Sequence, residues 1–198
     1  GAFSWTPTEL QGGASYNATI TVSDGGTPNL DHSETISIAV AEINVAPVLD
    51  PINNRSVDEQ AELAFTATAT DQDLPADILT FSLDVGAPAG ASIGESTGVF
   101  TWTPTETHGP GSYDITVRAT DDGTPAMDDF ETITVTVAEV NRPPVLALIG
   151  NKSVDEETPL TLTATATDPD IPANVLTLSA AGLPTGATFV PSTGVFSW

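Results

Sequence analysis

The sequence predicts an all-β protein built from seven-strand Greek-key β-sandwiches in tandem. Three observations support this prediction. The chain repeats itself about once every hundred residues, its apolar residues alternate with a period of two, and its 16 glycines and 16 prolines fall between the apolar runs. Alternation with a period of two is typical of half-buried strands, and glycine and proline are typical of turns. No stretch shows the longer period of an amphipathic helix.

The repeat is clearest in one aromatic segment. Gly-Ala-Phe-Ser-Trp-Thr-Pro-Thr-Glu at 1–9 returns as Gly-Val-Phe-Thr-Trp-Thr-Pro-Thr-Glu at 98–106, and its opening returns at 194–198, so the spacing is 97 and then 96 residues. Self-similarity at a fixed period is the signature of tandem repeats. We therefore predict the C-terminal half of one repeat, one complete repeat and the N-terminal half of the next, at residues 1–46, 47–144 and 145–198.

In the complete repeat, each predicted strand is a short run of alternating apolar and polar residues. Seven such runs lie near Arg55–Asp58, Leu63–Thr70, Leu79–Leu83, Ala91–Ile93, Phe100–Trp102, Tyr113–Ala119 and Ile133–Val137. Seven short strands with threonine at the outward positions favour a Greek-key sandwich. We expect Trp102 and Tyr113 to fill its core.

Turn and linker residues complete the repeat. Asp-Gly-Thr-Pro at 122–125 is predicted to join the last two strands, with its glycine supplying a positive φ. The stretches 41–48 and 138–145, which we call the first and the second linker, each carry proline after the last strand. Because proline cannot continue a strand ladder and holds the chain extended, we expect consecutive repeats to line up as a semi-rigid rod.

The composition excludes several kinds of partner. A formal net charge of −23, from 27 acidic residues against 4 lysines and arginines, repels nucleic acid and anionic membranes. The absence of cysteine excludes disulfides, thiolate metal sites and a cysteine nucleophile. No run has the length and apolar character of a membrane span, so no direct membrane insertion is expected in this segment.

The sequence contains no recognisable catalytic constellation. Its two histidines, His32 and His108, fall in stretches predicted to be solvated loops, and the repeat replaces them with Asp129 and Gln11. Neither a nucleophile–base pair nor a glycine-rich phosphate loop is present. We therefore predict that the chain is not an enzyme.

Several segments resemble a cadherin repeat. Val-Asp-Glu at 57–59, Ala-Thr-Asp-Gln-Asp at 69–73 and Ser-Thr-Gly-Val-Phe at 96–100 match its first half, and Tyr-Asp-Ile-Thr-Val-Arg-Ala-Thr-Asp-Asp-Gly-Thr-Pro at 113–125 matches its second. Because of Phe-Thr-Trp-Thr-Pro-Thr, the chain resembles more closely the bacterial cadherin-like and dystroglycan-type repeats, Ig-like modules of large secreted or surface proteins. The resemblance covers essentially the whole chain. It implies Ig-like or cadherin-like sandwiches and an extracellular or cell-surface location.

The resemblance also implies calcium at the junctions between repeats. In a seven-strand sandwich, the loop after the second strand and the loop before the last strand lie at the same end, where the linker enters. The expected ligands are Glu9, Glu42, Asn44, Asp71, Asp73 and Asp121 at the first junction, and Glu59, Glu106, Glu139, Asn141, Asp168 and Asp170 at the second. Calcium binds six to eight oxygens of this kind. The alternative is that the Asp-x-Asp segments only make Asx turns.

Two departures from the cadherin pattern lower the expected number of ions. Arg142 and Pro143 stand in the second linker where further oxygen ligands would be expected. The Asp-Arg-Glu motif of the middle loop is missing, and Thr-Pro-Thr-Glu, which ends in Glu106, occupies that region. The full calcium set of a cadherin junction is therefore not expected.

The function predicted from these features is structural and adhesive, in a long extracellular tandem-repeat protein rigidified by calcium. The expected partners are neighbouring repeats, copies of the chain itself, or a cell-surface protein or polysaccharide. The alternative is a carbohydrate- or protein-binding accessory module of a secreted enzyme, which exposed aromatic residues would indicate. We also expect Phe3 and Trp5 to pack against a repeat half outside this chain, either in a longer polymer or in a head-to-tail filament of copies.

Overall fold

A computed structural model describes residues 1–198 and confirms the predicted all-β sandwich class. By its contacts the chain divides into two compact units. Unit 1 comprises Gly1–Arg55, Leu63–Trp102 and Asp114–Thr134, and unit 2 comprises Ser56–Glu62, Thr103–Tyr113 and Val135–Trp198. The first linker therefore lies wholly in unit 1 and the second linker wholly in unit 2.

Sixteen strands and one turn of 3-10 helix, at Glu9–Gln11, make up the regular structure. In chain order the strands are β1 Ser15–Ser23, β2 Asp31–Ala39, β3 Val48–Leu49, β4 Arg55–Asp58, β5 Leu63–Thr66, β6 Ala69–Thr70, β7 Thr80–Leu83, β8 Ser92–Ile93, β9 Val99–Trp102, β10 Gly111–Thr120, β11 Asp128–Ala138, β12 Val145–Leu146, β13 Thr161–Thr163, β14 Ala166–Thr167, β15 Thr188–Val190 and β16 Val195–Ser197. No helix is long and apolar enough to cross a membrane.

The strands form six small sheets of two to four strands. Their orders are β1-β2, β4-β11-β10-β7, β5-β9-β8, β3-β6, β12-β14 and β13-β16-β15. The run from 63 to 70, predicted as one strand, is two strands that pair with different partners: β5 pairs with β9, and β6 pairs with β3. Between them, the Ala67 amide donates to the Gly98 carbonyl at 2.9 Å. The chain thus changes sheets at this point, as strands do at the corners of sandwiches.

The core of unit 1 lies between the alternating faces of these strands. Phe100 and Trp102 on β9 are fully buried, as are Ile115 and Val117 on β10. Phe65 stacks on Phe100 with ring centroids 4.6 Å apart. The indole of Trp102 donates a hydrogen bond to the Ala89 carbonyl at 3.2 Å, so its one polar group is satisfied inside the core.

Two predicted details are corrected by the structure. Tyr113, in unit 2, is only half-buried, and its hydroxyl donates to the His108 carbonyl at 3.0 Å. His32 is exposed on strand β2 rather than in a loop, although the structure does place the 122–125 turn between β10 and β11 as predicted.

The glycine of that turn has a different role from the predicted one. Gly123 does not have a positive φ, whereas Gly98 does, at 63°. A Cβ at Gly123 would overlap the side-chain oxygen of Asn44 in the first linker. The turn therefore needs glycine for close approach to the linker and not for a left-handed backbone.

Candidate metal centres at the two linkers

The structure brings nine carboxylate side chains into three clusters. Within each cluster, one oxygen from every member lies within 4.8 Å of the others. Cluster A is Glu9, Glu42 and Asp73, and cluster B is Asp71, Asp77 and Asp121, both in unit 1. Cluster C is Glu59, Glu106 and Glu139, in unit 2.

The loop that follows β6 positions two acids of unit 1. The Asp73 amide donates to Asp71 Oδ1 at 2.8 Å, which is the Asx turn expected of Asp-x-Asp. The linker amide of Val45 donates to Asp73 Oδ2 at 3.0 Å. Each carboxylate therefore has one oxygen held by the backbone, while Asp71 Oδ2 and Asp73 Oδ1 are buried without a hydrogen-bond partner.

Asp121, which directly follows β10, joins the first linker to cluster B. Its Oδ1 accepts hydrogen bonds from the amides of Gly123 and Met127, at 3.1 and 2.8 Å. The side-chain amide of Asn44 donates to Asp121 Oδ2 at 3.1 Å and to the Pro125 carbonyl at 2.8 Å. These two bonds fix the orientation of the Asn44 amide and leave its Oδ1 buried without a donor.

Cluster C is built around Glu59, which comes directly after β4 and is only 2% exposed. Its amide donates to the Ala138 carbonyl at 2.9 Å, and a Cβ at Gly109 would overlap its carboxylate. Both carboxylate oxygens of Glu59 and both of Glu139 are buried with no hydrogen-bond partner. Four unpaired oxygens in one place are exceptional, because buried polar groups are almost always hydrogen-bonded.

The third member of cluster C, Glu106, has protein donors instead. Its Oε2 accepts from Gln60 Nε2 at 2.8 Å and from Arg142 Nη1 at 3.3 Å, and its Oε1 accepts from the Ile171 amide at 3.1 Å. Glu106 is therefore the one acid of the cluster already neutralised in part by a cationic side chain.

Three further ligands were predicted for the second junction: Asn141, Asp168 and Asp170. They are joined by hydrogen bonds between the second linker and the loop that follows β14. Asp168 Oδ1 accepts from the amides of Asp170 and Asn174, at 3.2 and 3.0 Å. Asp170, 2% exposed, accepts from the Arg142 amide with both oxygens at 3.1 Å. The Asn174 side chain donates to Asn141 Oδ1 at 2.8 Å and to Asp170 Oδ2 at 2.9 Å.

Burial and neighbouring carboxylates raise the pKa of three cluster members. Burial, followed by the charges of Glu59 and Glu106, raises the pKa of Glu139. Burial, followed by the charges of neighbouring aspartates, raises the pKa of Asp77. A hydrogen bond with Glu42 is the main cause that raises the pKa of Glu9. When the pKa of an acid is higher in the folded protein than in the unfolded chain, the folded protein favours the protonated acid. The resulting contribution to stability is complete below the pKa in the unfolded chain. It is lost as the pH rises through the pKa in the folded protein. Without a cation, these three groups therefore weaken the fold towards neutral pH.

The donor set fits a hard divalent cation. All three clusters offer carboxylate oxygens only, with the amide oxygen of Asn44 beside cluster B, and none includes histidine or cysteine. Oxygen ligands of this kind favour calcium or magnesium over zinc or copper. Calcium tolerates irregular geometry and mixed carboxylate and amide ligands, whereas magnesium demands a near-ideal octahedron. Calcium is thus the ion that these residues suit best.

Most of the predicted ligands come together as expected. Eight of the twelve fall in the three clusters, Asn44 hydrogen-bonds to cluster B, and Asn141, Asp168 and Asp170 form the loop beside the second linker. Asp77 and its repeat equivalent Asn174 are not among the predicted ligands. Their signal was available, since both lie six residues after the first aspartate of an Asp-x-Asp segment and keep the 97-residue spacing.

The sandwich topology defines the protein as one with an Ig-like, cadherin-like β-sandwich fold. A family model described as "Putative Ig domain" matches residues 46–138 and 143–198. The chain belongs to this family.

The chain is similar to several solved structures, one of which has a TM-score above 0.5 and shows the same fold. A crystal structure of human CDH23 EC21-23 is similar at a TM-score of 0.52, with 22% sequence identity over 92% of this chain and 66% of that one. The protocadherin gammaB7 EC3-6 cis-dimer structure is similar at 0.46, with 22% identity over 92% of this chain and 49% of that one. A nucleoside hydrolase-related hypothetical protein from Saccharophagus degradans reaches only 0.40, with 18% identity over 48% of this chain and 26% of that one. The chain therefore spans about half of the protocadherin structure and just under two thirds of the CDH23 structure.

Proposed function

We propose that the chain is a structural and adhesive segment of a long extracellular tandem-repeat protein, and that calcium stabilises its linkers. The observation that carries this proposal is the set of seven buried oxygens without hydrogen-bond partners, all on residues expected to be ligands: Asn44, Glu59, Asp71, Asp73 and Glu139. Burial of an ionised carboxylate without a partner is strongly unfavourable. A cation at each linker removes this penalty.

Membership of an Ig-like family supports a structural role, and the assembly of ligands from separate segments supports coupling between calcium and folding. A cation that binds only the folded protein raises its stability, by about 2.7 kcal/mol at a hundredfold excess over Kd. Calcium sites of extracellular modules work at about 10⁻⁴–10⁻³ M, which is the range we expect here.

Thermal unfolding with and without calcium tests the proposal. Calcium should raise the unfolding temperature of the metal-free protein, and magnesium at the same concentration should raise it much less. Glu59→Gln removes a buried charge from cluster C, so it should stabilise the metal-free protein and shrink the calcium-induced shift. Asp73→Asn should do the same in unit 1.

Two matched controls complete the test. Glu62→Gln and Asp31→Asn make the same chemical changes at exposed acids outside the clusters. These variants should keep the wild-type calcium shift. A calcium shift that is absent, or that is equal in the cluster variants and the controls, would refute the calcium part of the proposal.

The adhesive part of the proposal concerns contacts with other repeats. Ile20 and Val22 on β1 are 59% and 66% exposed, and exposed apolar strand faces favour association. Sedimentation velocity across a concentration series should show association of copies that Ile20→Thr combined with Val22→Thr weakens. A monomer at all concentrations would remove self-association from the proposal.

A further inference from the structure

The two linkers differ at one position that faces the acidic clusters. The repeat spacing aligns Val45 of the first linker with Arg142 of the second. Both backbone amides make equivalent hydrogen bonds, since the amide of Val45 donates to Asp73 and the amide of Arg142 donates to the equivalent Asp170. At this position only the side chains differ, and the second linker has a guanidinium where the first linker has an apolar group.

The Arg142 guanidinium contacts a predicted ligand. Its Nη1 lies 3.3 Å from Glu106 Oε2, and the two side chains are 47% and 18% exposed. The equivalent of Glu106 in unit 1 is Glu9, whose cluster neighbours are the carboxylates of Glu42 and Asp73. The same position in the repeat thus faces carboxylates in both units, and in unit 2 it also faces a cation.

A second substitution changes the charge in the same direction. Asp77 of cluster B is replaced in unit 2 by Asn174, whose amide donates to Asn141 and Asp170. At these two aligned positions the second site has a positive charge where the first has none, and lacks a negative charge that the first carries. Its acids nevertheless keep four buried unpaired oxygens, on Glu59 and Glu139, so a cation is still favoured there.

We propose that Arg142 is a built-in counter-ion that lowers the calcium affinity of the second linker, so that the two linkers fill at different calcium concentrations. This inference rests on the proposed function and specifies its regulation. Arginine stays protonated at every physiological pH, so its competition with calcium is permanent. Calcium must either displace the guanidinium from Glu106 or bind without the full use of that carboxylate.

Calcium titration of the metal-free protein by calorimetry tests the inference. The wild type should show two classes of site. Asp73→Asn should weaken binding in the tighter class, and Glu59→Gln should weaken binding in the other class. Arg142→Gln should tighten the weaker class about tenfold, which is about 1.4 kcal/mol, and leave the tighter class unchanged.

The structure offers a charge-matched control and a reciprocal variant. Lys152→Gln also removes one positive charge from unit 2, at an exposed residue outside cluster C, and should leave both affinities unchanged. Val45→Arg places a guanidinium in the first linker at a residue that is already 39% exposed, and should weaken the tighter class. The reciprocal variant keeps the test decisive if Arg142→Gln folds poorly.

The failures of the two proposals are distinguishable. Calcium binding that Arg142→Gln and Val45→Arg both leave unchanged would overturn the role of Arg142 and leave the calcium proposal standing. An equal effect of Arg142→Gln and Lys152→Gln would show that only net charge matters, and would overturn it too. A wild type that binds no calcium would overturn both proposals together.

Discussion

Two hairpins of unit 1 share one sequence pattern and differ in burial. Strands β1 and β2 form the first hairpin, and the unit 1 parts of β10 and β11 form the second. Ile133 is 1% exposed whereas its repeat equivalent Ile36 is 38% exposed, and Val117 is fully buried whereas its equivalent Ile20 is 59% exposed. Both hairpins thus share the same alternation of apolar and polar residues, but only the second hairpin buries its apolar face.

The difference in burial between the two hairpins shows which features the alternation of apolar and polar residues determines. On their polar faces the hairpins match: the hydroxyls of Thr19 and Thr35 lie 2.7 Å apart, as do those of Thr116 and Thr132. Only the second hairpin belongs to a larger sheet, with β7 beside β10 and β4 beside β11, and only its apolar face contributes to the core that contains Phe100 and Trp102. Alternation therefore specifies strand and register, while burial depends on what faces the apolar side.

The largest expected loss of stability concerns two tryptophans at equivalent positions of the repeat. Trp102 and Trp198 occupy equivalent positions and donate to equivalent carbonyls, of Ala89 and Thr185, both at 3.2 Å. Trp102 is 1% exposed and Trp198 is 52% exposed. Because the hydrogen bond is common to both, Trp102→Ala should cost about 3–5 kcal/mol and Trp198→Ala less than about half of that. Denaturant unfolding followed by circular dichroism measures both, and equal losses would contradict the burial argument.

The next largest loss of stability is expected for the equivalent isoleucines Ile133 and Ile36. Ile133→Ala should cost about 2–5 kcal/mol, because it leaves a cavity in a closed core. Ile36→Ala removes the same atoms from a partly exposed face and should cost about 1 kcal/mol or less. Native-state hydrogen exchange in β11 and β2 reports each cost locally. If both variants lose the same stability, then the first hairpin is covered in solution, and association between copies gains support.

The smallest effect should be the same in both hairpins. Thr132→Ala and Thr35→Ala each remove one hydroxyl from a cross-strand threonine pair on a solvent-exposed face. Such a pair contributes roughly 0.2–1 kcal/mol. Hydrogen exchange should therefore show similar, small losses in the two strands. A large loss at only one position would mean that the polar faces differ as well.

The sequence was sufficient for much of the fold and for most of the candidate site. Alternation located the strands, and the shared end of a sandwich placed Asp71, Asp73 and Asp121 near the first linker. The change of sheet at Ala67 was not predictable, because the residues before and after it continue the same alternation. The repeat spacing of Asp77 marks it as equivalent to Asn174, but its place in cluster B depends on the path of a loop, which alternation with a period of two does not encode.

The spread of cluster C along the chain has a kinetic consequence. Its three acids, Glu59, Glu106 and Glu139, come from the start, the middle and the end of the central repeat, so the cluster exists only after distant segments have met. A bound ion would therefore stabilise the native state more than the folding transition state. Such an ion slows unfolding and leaves the folding rate nearly unchanged. Its main benefit would be a long lifetime of the folded repeat, and with it resistance to proteases that cut only opened chains.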